Sequence, residues 1–344
     1  MLFPYGKRNV QGSGRMRLAF ALIMALYLVA DPSGAMDRAR EAMALWAHSV
    51  APALFPFMAL IPALTDEYAM RAYERIFGRA TEKCFRISAR AASCVIVGLA
   101  AGSPAGAMAI ERAYHAGALT KRECEIVSVL STGAGLVFVI SSVGEGMFMS
   151  ALTGARMLIC IWCSFFVTAF LFSRMRKGGQ ERGSAEENKK PIRGAVSEAV
   201  IGILTVAGYM TAFSVFAGWL PEEIYAAFEI SGGCMSASRR GDGALAAGII
   251  AFGGLCAIAQ NLSFLKKTGV RARVYVPVKA IEGVLSAALM KLTDFAPDYR
   301  LASCPDAYGL ACLIAFILTA VVVFFALYGF IKARFDKTHM MHTR

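Results

Sequence analysis

Apolar runs of bilayer length recur along this chain, and they constrain its fold more than any single motif. They fall at roughly 18–30, 45–64, 91–110, 124–143, 155–173, 196–219, 243–264, 274–293 and 307–331. About 20 predominantly apolar residues cross a hydrocarbon core about 30 Å thick. A soluble all-α domain can hide one such run, not this many. Charged residues are 17% of the chain, against about 25% in a typical soluble domain. The expectation is an all-α polytopic membrane protein of about 8–10 transmembrane or re-entrant helices. The run at 274–293 is the weakest. Lys279, Glu282 and Lys291 interrupt it and Pro277 stands near its start, so a short or amphipathic helix is expected there. Lys7, Arg8, Arg15 and Arg17 before the first run resemble a signal peptide. With so many spans following, an uncleaved first helix is expected.

The net charge of +12 sits between the apolar runs, so it speaks for cytoplasmic loops rather than nucleic acid. Residues 66–90 carry Arg71, Arg75, Arg79, Lys83, Arg86 and Arg90. Residues 174–193 carry Arg174, Arg176, Lys177, Arg182, Lys189, Lys190 and Arg193. Residues 266–279 carry Lys266, Lys267, Arg271, Arg273 and Lys279, and the tail adds Lys332, Arg334, Lys337 and Arg344. These segments and the N-terminus read as cytoplasmic. Parity then fails in one place. Three runs lie between 66–90 and 174–193, where an even number of crossings is required, so one run there is re-entrant, broken, or hides an extra crossing. Irregular backbone at membrane depth survives only against protein or a watery cavity.

Two breaks are visible in that region: Gly98-Leu-Ala-Ala-Gly102-Ser103-Pro104-Ala-Gly106, and Gly133-Ala-Gly135 followed by Gly144-Glu-Gly146. Ser103 suits an N-cap and Pro104 a first helical position. A helix restarting there would aim its positive end at a cavity. The competing reading makes Gly98, Gly102 and Gly106 a packing stripe. A shift sets Gly102 on Gly254 and Ala105 on Ala257, and the loop charges run the spans at 45–64 and 196–219 in opposite directions, the pattern of an inverted repeat. The expected organisation is an N-terminal helix and connector (1–44), a first membrane repeat (45–173), a cytoplasmic linker (174–195), a second repeat (196–295), and a C-terminal helix with a basic tail (296–344).

Motifs recur in both halves. The first half contributes Ala51-Pro52-x-Leu54-Phe55-Pro56-Phe57, Gly102-Ser103-Pro104-Ala105-Gly106 and Gly117-x-Leu119-Thr120. The second contributes Gly208-Tyr209-x-x-x-Phe213-Ser214-Val215, Glu229-Ile-Ser-Gly232-Gly233-Cys234 and Phe252-Gly253-Gly254-Leu255-x-x-x-Ala259-Gln260. In this order they resemble the YlbJ-type (SpoVV) sporulation integral membrane proteins of the nucleoside-recognition or gate domain group. Ser103 departs from the aromatic usual in that family, and Ser131-Thr132-Gly133-Ala134-Gly135 from an Asn-Thr-Ser-Gly-Pro-like stretch. The resemblance implies transport across the mother-cell-derived outer forespore membrane, with dipicolinic acid as solute. Two other readings stay open: a carrier of a nucleoside-like or ionic solute, and a non-transporting scaffold for spore assembly.

Dipicolinate is a planar aromatic dianion, so its site calls for helix N-termini, neutral donors and an aromatic wall. Candidate residues are Gly102, Ser103, Pro104, Gly106, Tyr209, Glu229, Gly253, Gly254, Gln260 and Asn261. Glu229 is read as a proton or cation relay, against the alternative of a solvated residue in an outer loop. Gln260 and Asn261 supply amides, or only join helices. Asp242 is expected to cap a helix, Glu111 and Arg112 to snorkel, and Glu145 to be either a relay or a loop residue. Cys160 and Cys163, like His48 and His115, read as structural. No H-E-x-x-H, G-x-S-x-G or P-loop occurs. No catalytic residue, metal or cofactor is expected. Expected partners are the small anion and the lipid bilayer, with a second copy of the chain or other sporulation membrane proteins as further candidates.

Overall fold

A computed structural model describes residues 10–176, 178–179, 181–182, 194–218 and 220–294. The expected span at 307–331 and the tail lie outside the described residues. The chain is an all-α polytopic membrane protein. Ala151–Met175, Ala195–Ala217 and Gly243–Lys267 are long and apolar enough to cross a bilayer, and two bent helix pairs bring the number to as many as five among the described residues.

The N-terminal part comprises α1 (Val10–Ala30), α2 (Pro32–Leu45) and α3 (Ala51–Leu64), with a π-helical turn at Trp46–Val50 between the last two. Asp31 caps α2 by accepting from the Gly34 N–H at 2.9 Å. Leu18, Leu22, Leu26 and Val29 of α1 all point outward, as lipid-facing side chains do. Residues 66–90, expected as a loop, contain α4 (Glu67–Phe85), which meets the next helical stretch at 109°. Met70, Gly78, Cys84 and Phe85 are buried on one face of α4, while Arg71, Arg75 and Arg79 are exposed. A helix lying in the interface has this pattern.

The run at 91–110 is not one continuous helix. It folds as α5 (Ala92–Ala101) and α6 (Ala105–His115), packed side by side and antiparallel. A Cβ on Gly106 would stand 3.1 Å from the Gly98 Cα, and the Cys94 thiol reaches the Ala109 carbonyl at 3.5 Å. Helices of 10 and 11 residues are about 15 Å long, half of a hydrocarbon core. The pair is a helical hairpin with its tip at Gly102–Pro104, the form that a re-entrant segment there would take. After it come α7 (Lys121–Ser131), a break at 132–135, a π-helical stretch at Phe138–Glu145, and α8 (Ala151–Met175). One interrupted helical stretch and one continuous helix of crossing length lead from the first basic segment to the next.

The second half repeats that order. α9 (Ala195–Ala217) precedes a short pair, α10 (Glu222–Phe228) and α11 (Ile230–Arg239), which turns at Glu229. α12 (Gly243–Phe252) and α13 (Gly254–Phe264) are interrupted at Gly253, where Gly253 and Gly254 both have positive φ, +88° and +62°. α14 (Ala272–Asp294) closes the described chain. By element order the α5–α6 hairpin corresponds to the α10–α11 turn, the 132–135 break to Gly253–Gly254, and α8 to α14. The match of Gly102 to Gly254 is therefore out of register: it pairs a hairpin tip with a helix break, an accident of Ala/Gly-rich sequence. α2 and α3 lie antiparallel to α9. The Ser214 hydroxyl reaches the Arg38 carbonyl at 3.3 Å, the Trp46 indole donates to the Ile203 carbonyl at 3.1 Å, and Met58 meets Gly202.

The basic segments meet at one end of the bundle. Arg122 donates to the carbonyls of Arg86 at 2.7 Å, Ser173 at 2.8 Å and Arg176 at 2.9 Å, covering the open carbonyls at the C-termini of α4 and α8. Thr120 and Glu123 form a capping box at the start of α7, and Glu123 also accepts from the Ser88 N–H at 2.6 Å. Arg176 pairs with the buried Glu125.

α14 is not short, but it is amphipathic, the other form its charges had suggested. It packs along α12 and α8, with Tyr275, Lys279, Glu282 and Ser286 all buried and Ile281, Val284 and Leu292 exposed. The four buried polar residues recur at helical spacing on one face. The helix is amphipathic with its polar face inward, the sense expected when the outside is lipid.

Candidate functional site

A cavity of about 300 Å³ lies where the irregular segments of both halves converge. The first half contributes the hairpin tip at Ser103 and Pro104 and the break from Thr132 to Gly135. The second contributes Glu229–Ser231 at the α10–α11 turn, and Gly253, Cys256, Ala257 and Gln260 around the α12–α13 break. Leu54 and Phe57 of α3 with Val206 and Met210 of α9 form an apolar wall. Ligand sites have this make-up, a mostly apolar wall with a few convergent polar groups.

Local sequence explains the approach of the two first-half breaks. Gly102 has φ +74°, a left-handed conformation that glycine adopts without strain, and a Cβ there would collide with the Gly135 backbone. Gly102 and Ala134 form an antiparallel bridge, and the Ser103 N–H donates to the Gly133 carbonyl at 2.6 Å. Gly98 and Gly106 have a different task. A Cβ on either would strike Ser131, so they let the hairpin arms close on the end of α7. The break and the packing stripe are thus both present, at different glycines.

Ser103 is not the expected N-cap. The cap of α6 is Pro104, with no side-chain hydrogen bond, because the Ser103 hydroxyl is committed elsewhere: it donates to the Asn261 Oδ1 at 2.7 Å. The Asn261 amide donates onward to the Tyr275 hydroxyl at 3.1 Å and the Thr132 carbonyl at 3.4 Å. Tyr275 and Thr132 share a hydrogen bond of 2.5 Å, and the Thr132 hydroxyl donates to the Ser128 carbonyl at 2.6 Å. A hydroxyl has one proton, so with the Thr132 proton spent on Ser128, Tyr275 is the donor to Thr132. The chain of donors runs one way, from the cavity wall through α13 and α14 back to α7.

Of the candidate residues, Ser103, Pro104, Glu229, Gly253 and Gln260 share the cavity wall. Gly102, Gly106, Gly254 and Asn261 stand behind it. Gly102 and Gly106 permit close backbone approach, Gly254 lies near the Phe228 carbonyl, and Asn261 holds the network together. Tyr209 packs with Val206, Met210 and Cys256 and is 6.5 Å from the Phe213 ring. It backs the wall without lining it. Glu229 is half-buried, and its two carboxylate oxygens accept from the Ser231 N–H at 3.0 Å and the Gly232 N–H at 2.6 Å. It caps α11, so the positive end of that helix is already matched by a carboxylate. Gln260 is buried, and among the described residues its amide nitrogen meets only the Cys256 sulfur, at 3.4 Å, a weak acceptor.

Other polar residues fall outside the cavity. Asp242 caps α12, accepting from the Leu245 N–H at 2.8 Å. Arg112 pairs with Glu198 at 3.2 Å instead of snorkelling alone. Glu145 is exposed at the end of its π-helical stretch. Cys160 is buried and Cys163 half-buried, both on α8.

Sequence reading missed Thr132, Tyr275 and the ion pair on α14. Lys279 and Glu282 are 1% and 0% exposed and 2.7 Å apart, and the Lys279 ammonium stands 4.6 Å from the Phe165 ring centre. The signal was present as polar residues four, seven and eleven positions after Tyr275.

Over 136 residues the chain is 22% identical to the sporulation integral membrane protein YlbJ of Bacillus subtilis (strain 168), a stretch covering 40% of this chain and 33% of that protein. The match thus spans about a third of that relative's length. No family model and no solved structure matches the chain.

Proposed function

We propose that this protein is a transporter that carries a small carboxylate anion through the cavity between its two halves. The observation that carries the reading is the convergence of two hairpin turns and two helix breaks, one of each from either half, on a single space with a mostly apolar wall and a few polar groups. A scaffold has no use for such a space, whereas interrupted helices around a midplane site are how many carriers bind solute and change access. The antiparallel packing of α2–α3 on α9 supports an inverted repeat.

The resemblance and the likeness to a sporulation membrane protein make dipicolinic acid the proposed solute and the outer forespore membrane the proposed location, with the basic segments and N-terminus in the cytoplasm. A cavity of about 300 Å³ lies at the small end of ligand sites and suits a single planar ring. Ser103, Ser231 and Gln260 offer neutral groups on the wall. Glu229 sets a condition. A dianion beside a carboxylate in a low-dielectric space is repelled, so the solute travels with a proton or cation, and Glu229 is the residue that carries it. The test is uptake of labelled dipicolinate into vesicles containing the purified protein. Accumulation above protein-free vesicles is the expected result, and its absence with a correctly oriented protein defeats the proposal. A labelled nucleoside in parallel decides between the two solute classes.

A further inference from the structure

A second cavity, of about 260 Å³, is lined by Met58, Ile61, Met108, Arg112, His115 and Lys267, among others. α3, α9 and α13 wall both spaces, and the hairpin reaches both. On α3, Leu54 and Phe57 face the central cavity and Ile61 and Pro62 the second. On α9, Val206 and Met210 face the central cavity and Ile201 the second. The hairpin tip at Ser103 and Pro104 faces the central cavity, and Glu111, Arg112 and His115 of α6 the second. On α13, Gln260 faces the central cavity, and Phe264, one turn further on, the second. In each helix the change comes within a turn or two, toward the basic end of the bundle.

At that level Met58 of α3 and Met108 of α6 converge on Gly202 of α9. A Cβ on Gly202 would run into the Met58 methyl and lie 3.0 Å from the Met108 sulfur. Met58 is 1% exposed. Methionine is unbranched, with several rotatable bonds, so its end can swing aside without a backbone shift. Above this level, Arg112 of the first half and Glu198 of the second make an ion pair of 3.2 Å. Lys267, at the outer edge, is paired with no carboxylate among the described residues.

We infer that the two cavities are successive stations of one pathway, that Met58 and Met108 against Gly202 form the septum between them, and that the second cavity is the vestibule through which the carboxylate solute passes at the basic end. Its use by a solute rests on the transport reading; the septum does not. In this state the septum is closed and the Arg112–Glu198 pair holds α6 against α9.

The test reads access alone and needs no solute. Ala257 lines the central cavity and His115 the vestibule. Each is replaced by cysteine in a cysteine-free protein, in vesicles with the basic segments outward, and exposed to a membrane-impermeant thiol reagent. His115→Cys should react quickly and Ala257→Cys slowly. Adding Met58→Ala and Met108→Ala should speed Ala257→Cys at least tenfold and leave His115→Cys unchanged. Met58→Leu with Met108→Leu, which keeps the bulk, should leave both slow and fast rates as they were. Should the double alanine protein lose its monodisperse size-exclusion peak, Met108→Ala alone serves, with a rise of at least threefold. The inference is overturned if Ala257→Cys reacts as fast as His115→Cys with the methionines intact. It is equally overturned if the alanine substitutions leave its rate unchanged. Failed dipicolinate uptake alongside the expected labelling would leave the septum standing and remove only the solute.

Discussion

Ser103 and Asn261, 158 positions apart, are joined by a hydrogen bond of 2.7 Å from the Ser103 hydroxyl to the Asn261 side-chain oxygen. It ties the tip of the first helical hairpin to the far side of the second helix break. Asn261 is 1% exposed and its remaining donors are used on Tyr275 and Thr132. Replacing it by Leu leaves several buried polar groups without partners, each costing about 1–3 kcal/mol. Asn261→Leu should therefore lower the thermal unfolding midpoint more than Ser103→Ala. The two changes together should cost less than their sum, with an interaction of at least about 0.5 kcal/mol. Strictly additive losses in a double-mutant cycle would mean that the hydrogen bond does not couple the two halves.

The helical hairpin gives a second expectation. If α5 and α6 return to the side they left, Arg90→Cys and Ala116→Cys, each alone in a cysteine-free protein, react with an impermeant reagent from the same face. Arg75→Cys and Arg182→Cys should share that face, because Arg122 and Lys121 bind both neighbouring segments. Labelling of positions 90 and 116 from opposite faces would make 91–110 a crossing and leave the parity fault standing.

Much of this architecture was legible in residue patterns, and the exceptions have physical causes. Apolar run length marked the crossings, and the count of basic segments located the irregular region between 66–90 and 174–193. Run length could not tell a crossing from a hairpin: two ten-residue arms around Gly102-Ser103-Pro104 are as apolar as one helix of twenty. It also underrated α14, because Lys279 and Glu282 lower its mean hydropathy although both point inward. On the candidate site, Ser103, Glu229 and Gln260 stand on one cavity wall. The network partners Thr132 and Tyr275 went unnoticed, because a hydrogen bond between residues 143 positions apart leaves no local trace.

The buried pair on α14 supplies a third expectation. Removing one partner of a buried ion pair leaves an uncompensated charge and costs about 3–5 kcal/mol. Glu282→Gln and Lys279→Met should each destabilise the protein strongly. Lys279→Met with Glu282→Met should recover much of the loss, since the paired apolar side chains need no counter-charge. Stability is read from thermal or denaturant unfolding in one detergent. A double variant less stable than either single variant would show that the pair does more than balance itself, and would direct attention to the buried Ser286 hydroxyl and Glu282 Oε1, neither of which has a hydrogen-bond partner among the described residues.

Glu229 and Gln260 separate a carrier from a scaffold most directly. Gln260 is buried on the cavity wall, yet among the described residues its amide nitrogen has only the Cys256 sulfur, at 3.4 Å, so a stronger acceptor on a bound solute would be preferred. Gln260→Leu keeps much of the volume and deletes that donor. One hydrogen bond is worth about 0.5–3 kcal/mol, so apparent affinity for dipicolinate should fall roughly 2–150-fold, with the amount of protein in the membrane unchanged. Glu229→Gln tests the other half of the mechanism. The amide oxygen can still accept from the Ser231 or Gly232 N–H, so the α11 cap survives in part and the turn keeps its shape. What is lost is the negative charge that, on the proposed transport reading, obliges the dianion to travel with a proton or cation. Glu229→Gln should abolish accumulation of labelled dipicolinate against its gradient. Exchange between equal concentrations on the two sides should continue at wild-type rate or faster, because the repulsion at the turn is gone. A scaffold predicts that neither variant alters any flux. If Glu229→Gln still accumulates solute to the wild-type level at matched protein content, the coupling role belongs elsewhere in the molecule.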